Sequence, residues 1–148
     1  MTEGLTIADL VRADVDDLTT AFEDWPKQRS TFEKYAVEAE AGLRDVMVAR
    51  LDGELAGYVT VWWSPRYPLF AAHGIPEIRD FNVLHAFQRR GVGTALMDAA
   101  EARVAQRGGR VVGIGVGLYG GDGYAAVKQR YDPDGRLLDL YAKAVMRR

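Results

Sequence analysis

Apolar and polar positions along the chain change period several times, and each change marks an expected element. Leu5–Arg12 reads as a first strand with Leu5 and Ile7 facing the core and Ala8 as a further candidate. Asp14, Asp16 and Asp17 then suit a helix N-terminus, and Val15, Leu18, Ala21, Phe22 and Trp25 follow steps of three and four until Pro26. A second helix is expected over Ser30–Ala41, closed by Gly42. Its stripe of Phe32, Tyr35, Ala36 and Ala39 reads as core rather than as a ligand box. Val46–Leu51 and Leu55–Trp63 flank Asp52-Gly53, a pair suited to the positive φ angles of a type I′ turn, and so predict an antiparallel hairpin. Ser64–His73, with Pro65 and Pro68, reads as a loop. Beyond it the pattern predicts a strand at Ile75–Leu84 and an amphipathic helix at Val92–Arg107 with Ala95, Leu96, Ala99, Ala102 and Val104 inward. Gly108-Gly109 would end that helix before a buried strand at Arg110–Val116. Gly117–Gly123 is glycine-rich, Tyr124–Arg130 reads as a short helix, Pro133-Asp134-Gly135 as a turn, and Leu137–Val145 as the last strand. The order β-α-α-β-β-β-α-β-α-β predicts one α/β domain with a mixed sheet.

Composition narrows the functions open to such a domain. The 148 residues are 48% hydrophobic and 27% charged, close to the globular average. Nineteen basic residues against twenty-one acidic ones give a net charge of -2, which offers no broad attraction to nucleic acid or to an anionic membrane. Cysteine is absent, which removes disulfides, thiolate metal sites and thiol nucleophiles together and fits a reducing cytoplasm. Met1-Thr2-Glu3-Gly4 lacks a signal-peptide pattern, and no apolar run approaches 18 residues, so neither export nor a membrane span is expected.

The candidate chemistry lies in Gln88-Arg89-Arg90-Gly91-Val92-Gly93-Thr94, where a strand passes through a glycine loop into a helix. Unpaired N–H groups and the helix dipole make such a junction an anion cradle, and Gly91 and Gly93 omit the Cβ atoms that would impede a phosphate. Arg89 and Arg90 can add charge-assisted contacts, which points to a phosphorylated cofactor. The loop lacks the Lys-Ser/Thr pair of a P-loop. Leu96 stands where the dinucleotide fingerprint needs its third glycine.

Gln88-Arg89-Arg90-Gly91-Val92-Gly93 resembles the acetyl-CoA motif of the GCN5-related N-acetyltransferase (GNAT) superfamily, Q/R-x-x-G-x-G/A at the start of a helix. The likeness spans roughly residues 5–119. It extends to Pro76-Glu77-Ile78-Arg79-Asp80 before the motif, Gly113-Ile114-Gly115-Val116-Gly117-Leu118-Tyr119 after it, and the late Pro133-Asp134-Gly135. The resemblance implies a single α/β (α+β) domain over residues 1–148 with the GNAT fold. Its sheet would be mixed and mostly antiparallel, of about six or seven strands, with helices on both faces and a splay between the fourth and fifth strands. Pantetheine would lie in that gap, beside the backbone of Asn82, Val83 and Leu84. The diphosphate would be held by Gln88, Arg89, Arg90, Gly91, Val92, Gly93 and Thr94. In the family the fourth strand is bulged so that an N–H, here best matched by Val83, can stabilise developing charge on the thioester oxygen. His85 replaces the family's usual proline and reads as a surface or loop-packing residue rather than a base.

Attack on a thioester needs a neutral amine, and an amine of pKa near 10.4 is deprotonated in only about one molecule in a few thousand at pH 7. Glu77 matches the position of the general-base glutamate in histone-acetylating members, and even spacing along a regular strand would put it on Val83's face. Pairing with Arg79 or solvation at a strand end is the bland reading of Glu77, and Asp80 is a weaker alternative base. The resemblance assigns protonation of the CoA thiolate to a tyrosine. Tyr131 is the candidate, with Tyr124 second, although Tyr131 runs directly into Asp132-Pro133-Asp134-Gly135 where the family shows additional residues.

The expected activity is therefore acetyl transfer from acetyl-CoA, with no metal, to a primary amine on a small molecule or protein by direct attack. The rival is a non-catalytic acyl-CoA binding or sensing module. Acceptor recognition would fall to the N-terminal helices and Ser64–His73. There Trp62, Trp63, Tyr67 and Phe70 read either as pocket lining or as core and lid packing, and Glu23, Asp24, Glu33, Glu38 and Glu40 either attract a cation or form a solvated face. The expected partners are acetyl-CoA and an amine acceptor, with neither nucleic acid nor membrane, and a homodimer is compatible with the resemblance.

Overall fold

The computed structural model describes residues 3–65, 68–109, 111–116, 124–129 and 145–146. The elements are β1 (Leu5–Asp9), α1 (Asp14–Ala21), α2 (Arg29–Glu40), β2 (Arg44–Leu51), β3 (Glu54–Trp62), α3 (Pro68–His73), β4 (Glu77–Val83), a single 3-10 turn at His85–Phe87, α4 (Val92–Gln106), β5 (Val111–Val116), β6 (Tyr124–Gln129) and β7 (Val145–Met146). The strands join one sheet in sequential order. The described pairings make it mixed: β1·β2, β5·β6 and β6·β7 are antiparallel, and β4·β5 is parallel. This is the mixed α/β architecture expected from the residue pattern. The parallel register covers Glu77↔Gly113 and Ile78↔Ile114, near the start of a β4 that runs on to Val83. Contacts group the chain into two compact units, Met1–Thr60 with Asp80–Ala100, and Val61–Arg79 with Glu101–Arg148.

In the first unit, β1 runs against β2 from Leu5↔Leu51 to Asp9↔Met47. Asp52 and Gly53 carry φ angles of +52° and +85°, the pair of positive values that a type I′ turn requires. β2 and β3 are buried almost without interruption, so both of their faces are covered. On one side lie Val15, Leu18 and Phe22 from α1 and its end, with Phe32, Tyr35 and Ala36 from α2. They enclose Tyr58 of β3, whose ring meets Phe22 and Phe32 edge-on at 5.2 and 5.5 Å. The expected α2 stripe is thus core. α1 stops at Ala21 rather than reaching Pro26, because Phe22 already leaves helical geometry at φ -105° and ψ 22°. Phe22 and Trp25 instead close a turn.

Gly57 marks a close approach of strands. A Cβ there would stand 2.6 Å from the Asn82 carbonyl oxygen and 3.1 Å from Val83 Cα. Gly57→Ala is therefore expected to push β4 outward and lower stability by about 1–3 kcal/mol, read as a fall in Tm with the midpoint of chemical unfolding.

In the second unit, β5 runs antiparallel to β6 from Val111↔Gln129 to Val116↔Tyr124. Phe70, expected either in a pocket or in the core, is fully buried, its ring occupying the space that a Cβ on Gly113 would need. Two expectations need correction here. Residues 68–73 are not loop but helix, because a proline at the first helical position gives up no hydrogen bond and comes with a suitable φ. Tyr124–Gln129 is strand rather than helix, because the six-residue ladder with β5 overrides a locally helical composition.

α4 ends where Gly108, at φ +85°, and Gly109 return hydrogen bonds to the Ala105 and Val104 carbonyls, a Schellman closure. Its buried face is Val92, Leu96, Ala100 and Val104. Ala102, expected inward, is exposed, and Ala95 and Ala99 are only half-buried. Among the described residues no helix is long and apolar enough to cross a membrane.

Candidate active site

The first feature is a kink within β4. Asp80 adopts φ +60°, the left-handed region that a non-glycine residue occupies at a cost of about 1–2 kcal/mol. Its carboxylate is 14% exposed and accepts four hydrogen bonds. Lys27 Nζ donates to Oδ1 at 2.7 Å and Asn82 Nδ2 to the same oxygen at 2.7 Å, while the Tyr35 and Tyr58 hydroxyls donate to Oδ2 at 2.5 and 2.8 Å. Tyr35 is in turn covered by the Arg44 guanidinium, 4.3 Å above its ring, and Arg44 is buried against Glu38 and Thr60. Burial alone would raise the Asp80 pKa, but the hydrogen bonds from Lys27, Tyr35 and Tyr58 outweigh it and hold the carboxyl below its ordinary value. Burial, reinforced by the Asp80 charge, pushes the Tyr58 hydroxyl well above the usual tyrosine range. Asp80 is thus a saturated carboxylate and a poor proton acceptor, which weakens it as a base.

That lowered pKa fixes the sign of a pH effect. The folded chain holds the Asp80 proton more weakly than the unfolded chain, so the stabilisation is complete above the unfolded value, about 3.9, and is lost as pH falls through the lower folded value. Melting curves between neutral and acid pH should show wild type losing Tm more steeply than Asp80→Asn in that window. Parallel curves would contradict the assignment.

Downstream of the kink the chain is held again. The Leu84 N–H donates to the Ala56 carbonyl at 2.8 Å, so this donor faces β3. In regular extended backbone consecutive N–H groups face opposite edges, so the Val83 N–H is expected to face away from β3. The Asn82 side chain serves Asp80 and the Tyr58 hydroxyl, and Gln88 Nε2 donates to the Val83 carbonyl at 3.0 Å. The motif glutamine thereby ties the loop to β4. His85 packs on Trp25 with ring centroids 5.0 Å apart, the loop-packing role expected of it.

The second feature is the junction from Gln88 to Thr94. Arg89 and Gly91 are both left-handed, at φ +62° and +84°, and residues 88–91 are exposed. The first helical bond runs from the Ala95 N–H to the Gly91 carbonyl, which makes Gly91 the N-cap. Among the described residues the amides of Gly91, Val92, Gly93 and Thr94 donate to no backbone carbonyl. Val92 is buried and anchors the first turn. A Cβ on Gly93 would meet Val83 Cγ2 and Phe81 Cζ at 3.7 and 3.8 Å, ordinary contacts, so alanine fits this position as readily as glycine. Open amides, a dipole and two adjacent arginines fit a diphosphate. The Arg90 guanidinium lies 5.6 Å above the Phe87 ring.

Glu77 opens β4 opposite Gly113 and is half-buried. The left-handed Asp80 interrupts the alternation from which Glu77 was expected to share Val83's face, so that parity argument does not carry across the kink. Tyr131 lies outside the described residues, and Tyr124 belongs to β6. Lys27, Tyr35 and Tyr58 were not singled out as polar partners in the sequence. The available signal was that two tyrosines in apolar stripes must find partners for their hydroxyls when buried.

The profile of the Acetyltransferase (GNAT) family matches residues 9–119. No curated protein matches the chain in sequence. Among solved structures, an N-acetyltransferase from Staphylococcus aureus Mu50 superposes with a TM-score of 0.62 at 13% identity, over 76% of this chain and 73% of that one. The yncA protein of Salmonella typhimurium, with its cofactor acetyl-CoA, gives 0.61 at 18% identity over 76% and 69%. An aminoglycoside 6'-N-acetyltransferase complexed with coenzyme A gives 0.58 at 22% identity over 75% and 61%. At these identities the likeness is one of fold. With the family profile covering both the kinked strand and the loop that follows it, the chain belongs to the GNAT acetyltransferase family.

Proposed function

We propose that this chain moves an acetyl group from acetyl-CoA to a primary amine by direct attack, as a single cytoplasmic domain. The observation that carries the reading is the row of four amides from Gly91 to Thr94, unspent on the backbone and flanked by Arg89 and Arg90. Those amides would hold the diphosphate, with the guanidinium groups adding charge-assisted contacts. Bound acetyl-CoA supplies the activated acetyl thioester. Val83 offers its N–H to the thioester oxygen, a role supported by the Leu84 N–H being the donor that β3 takes up. Glu77 accepts the proton of the incoming amine, directly or through water, and Tyr131 returns a proton to the leaving thiolate. A chain without cysteine has no thiol on which to park the acetyl group, which favours direct transfer.

The test is turnover. Purified protein incubated with acetyl-CoA and a panel of small primary amines and lysine-containing peptides should release free CoA with at least one class. Tight acetyl-CoA binding with no release above the hydrolytic background for any amine would replace this reading with a binding or sensing module.

A further inference from the structure

We propose that Asp80 is a positioning residue: its carboxylate pins the left-handed kink in β4 and so fixes the direction in which the Val83 amide points. The inference rests on the acetyl-transfer reading of Val83 given above.

Three observations converge on it. A φ of +60° inside a strand is costly for aspartate and persists only where the surroundings over-determine it. Here they do. Lys27 reaches Asp80 from the segment between α1 and α2, Tyr35 from α2, Tyr58 from β3 and Asn82 from β4 itself, so that both carboxylate oxygens are doubly occupied. The far end of the same stretch is clamped by the Leu84 N–H on the Ala56 carbonyl. Phe81, Asn82 and Val83 therefore lie between two fixed points, only one of which depends on a side chain. Removing the Asp80 carboxylate takes one acceptor from an ammonium, two phenols and an amide and frees the kink to relax toward regular strand, which would re-aim the Val83 amide.

Two substitutions separate the conformation from the pin. Asp80→Gly accepts a positive φ without strain but has no carboxylate. Asp80→Asn keeps the shape and loses the charge. Hydrogen exchange of the Arg79–Leu84 segment in the unliganded protein, with the β1·β2 ladder as internal reference, is expected to accelerate about tenfold or more in both variants. In the acetyl-transfer assay kcat should fall about tenfold or more while KM for acetyl-CoA stays within about twofold, a split that general destabilisation would not produce. If either variant does not fold, Lys27→Met, which removes one donor from a partly exposed position, should show the same changes at smaller amplitude. Exchange and kcat both within about twofold of wild type would overturn the proposal. Faster exchange with unchanged kcat would overturn it too, since the network would then be structural only. Should wild type release no CoA with any amine, the functional reading fails first, while exchange in the same variants still decides whether Asp80 pins the strand.

Discussion

Gly91→Asp is expected to weaken acetyl-CoA binding about 100-fold while leaving the fold intact. The two parts of that result have one origin. Gly91 is the N-cap of α4; an aspartate there can cap the helix, although at φ +84° it carries the left-handed cost of about 1–2 kcal/mol. Its carboxylate would accept from the amides of Gly93 or Thr94, satisfying the donors that otherwise await a phosphate, and would place a negative charge against the incoming diphosphate. The helix gains a cap as the site loses its open donors. Titration calorimetry should thus show the loss of affinity, with Tm lowered only modestly, because the left-handed backbone costs an aspartate about 1–2 kcal/mol while a better cap returns a few tenths. Unchanged affinity would remove the diphosphate from this loop.

Glu77→Gln is the second large effect. If Glu77 takes the proton from the attacking amine, the variant should lower kcat about 100-fold, with acetyl-CoA affinity within about twofold of wild type. The limb of the pH–rate profile that rises from acid pH should flatten. Asp80 would not rescue it, because that carboxylate is already occupied by four donors and held below its ordinary pKa. A pH–rate profile identical to wild type would reject Glu77 as the base.

Much of this architecture could be read from residue pattern because the signals are local. Asp52-Gly53 demands positive φ angles and forms the expected hairpin, and the α2 stripe of Phe32, Tyr35 and Ala36 is buried as its spacing implies. The Gln88–Thr94 junction was legible for the same reason, since strand, glycine loop and helix start are contiguous. What pattern missed depends on partners distant in sequence. In alanine-rich α4 the apolar count is nearly uniform around the helix, so neighbouring elements decide that Ala100 is buried and Ala102 exposed. β6 is strand because β5 lies beside it. Asp80, expected within a regular strand and as a weaker alternative base, has a left-handed backbone held by Lys27, 53 positions earlier, and by two tyrosines. That kink also explains why counting by twos from Val83 back to Glu77 is unsafe.

The most direct measurement is a crystal structure of the protein with coenzyme A bound. The account predicts diphosphate oxygens within about 3.2 Å of main-chain nitrogens between Gly91 and Thr94, with the pantetheine arm running along the β4 edge that bears the Val83 amide. Those nitrogens bonded within the protein, and the nucleotide seated on another surface, would contradict it.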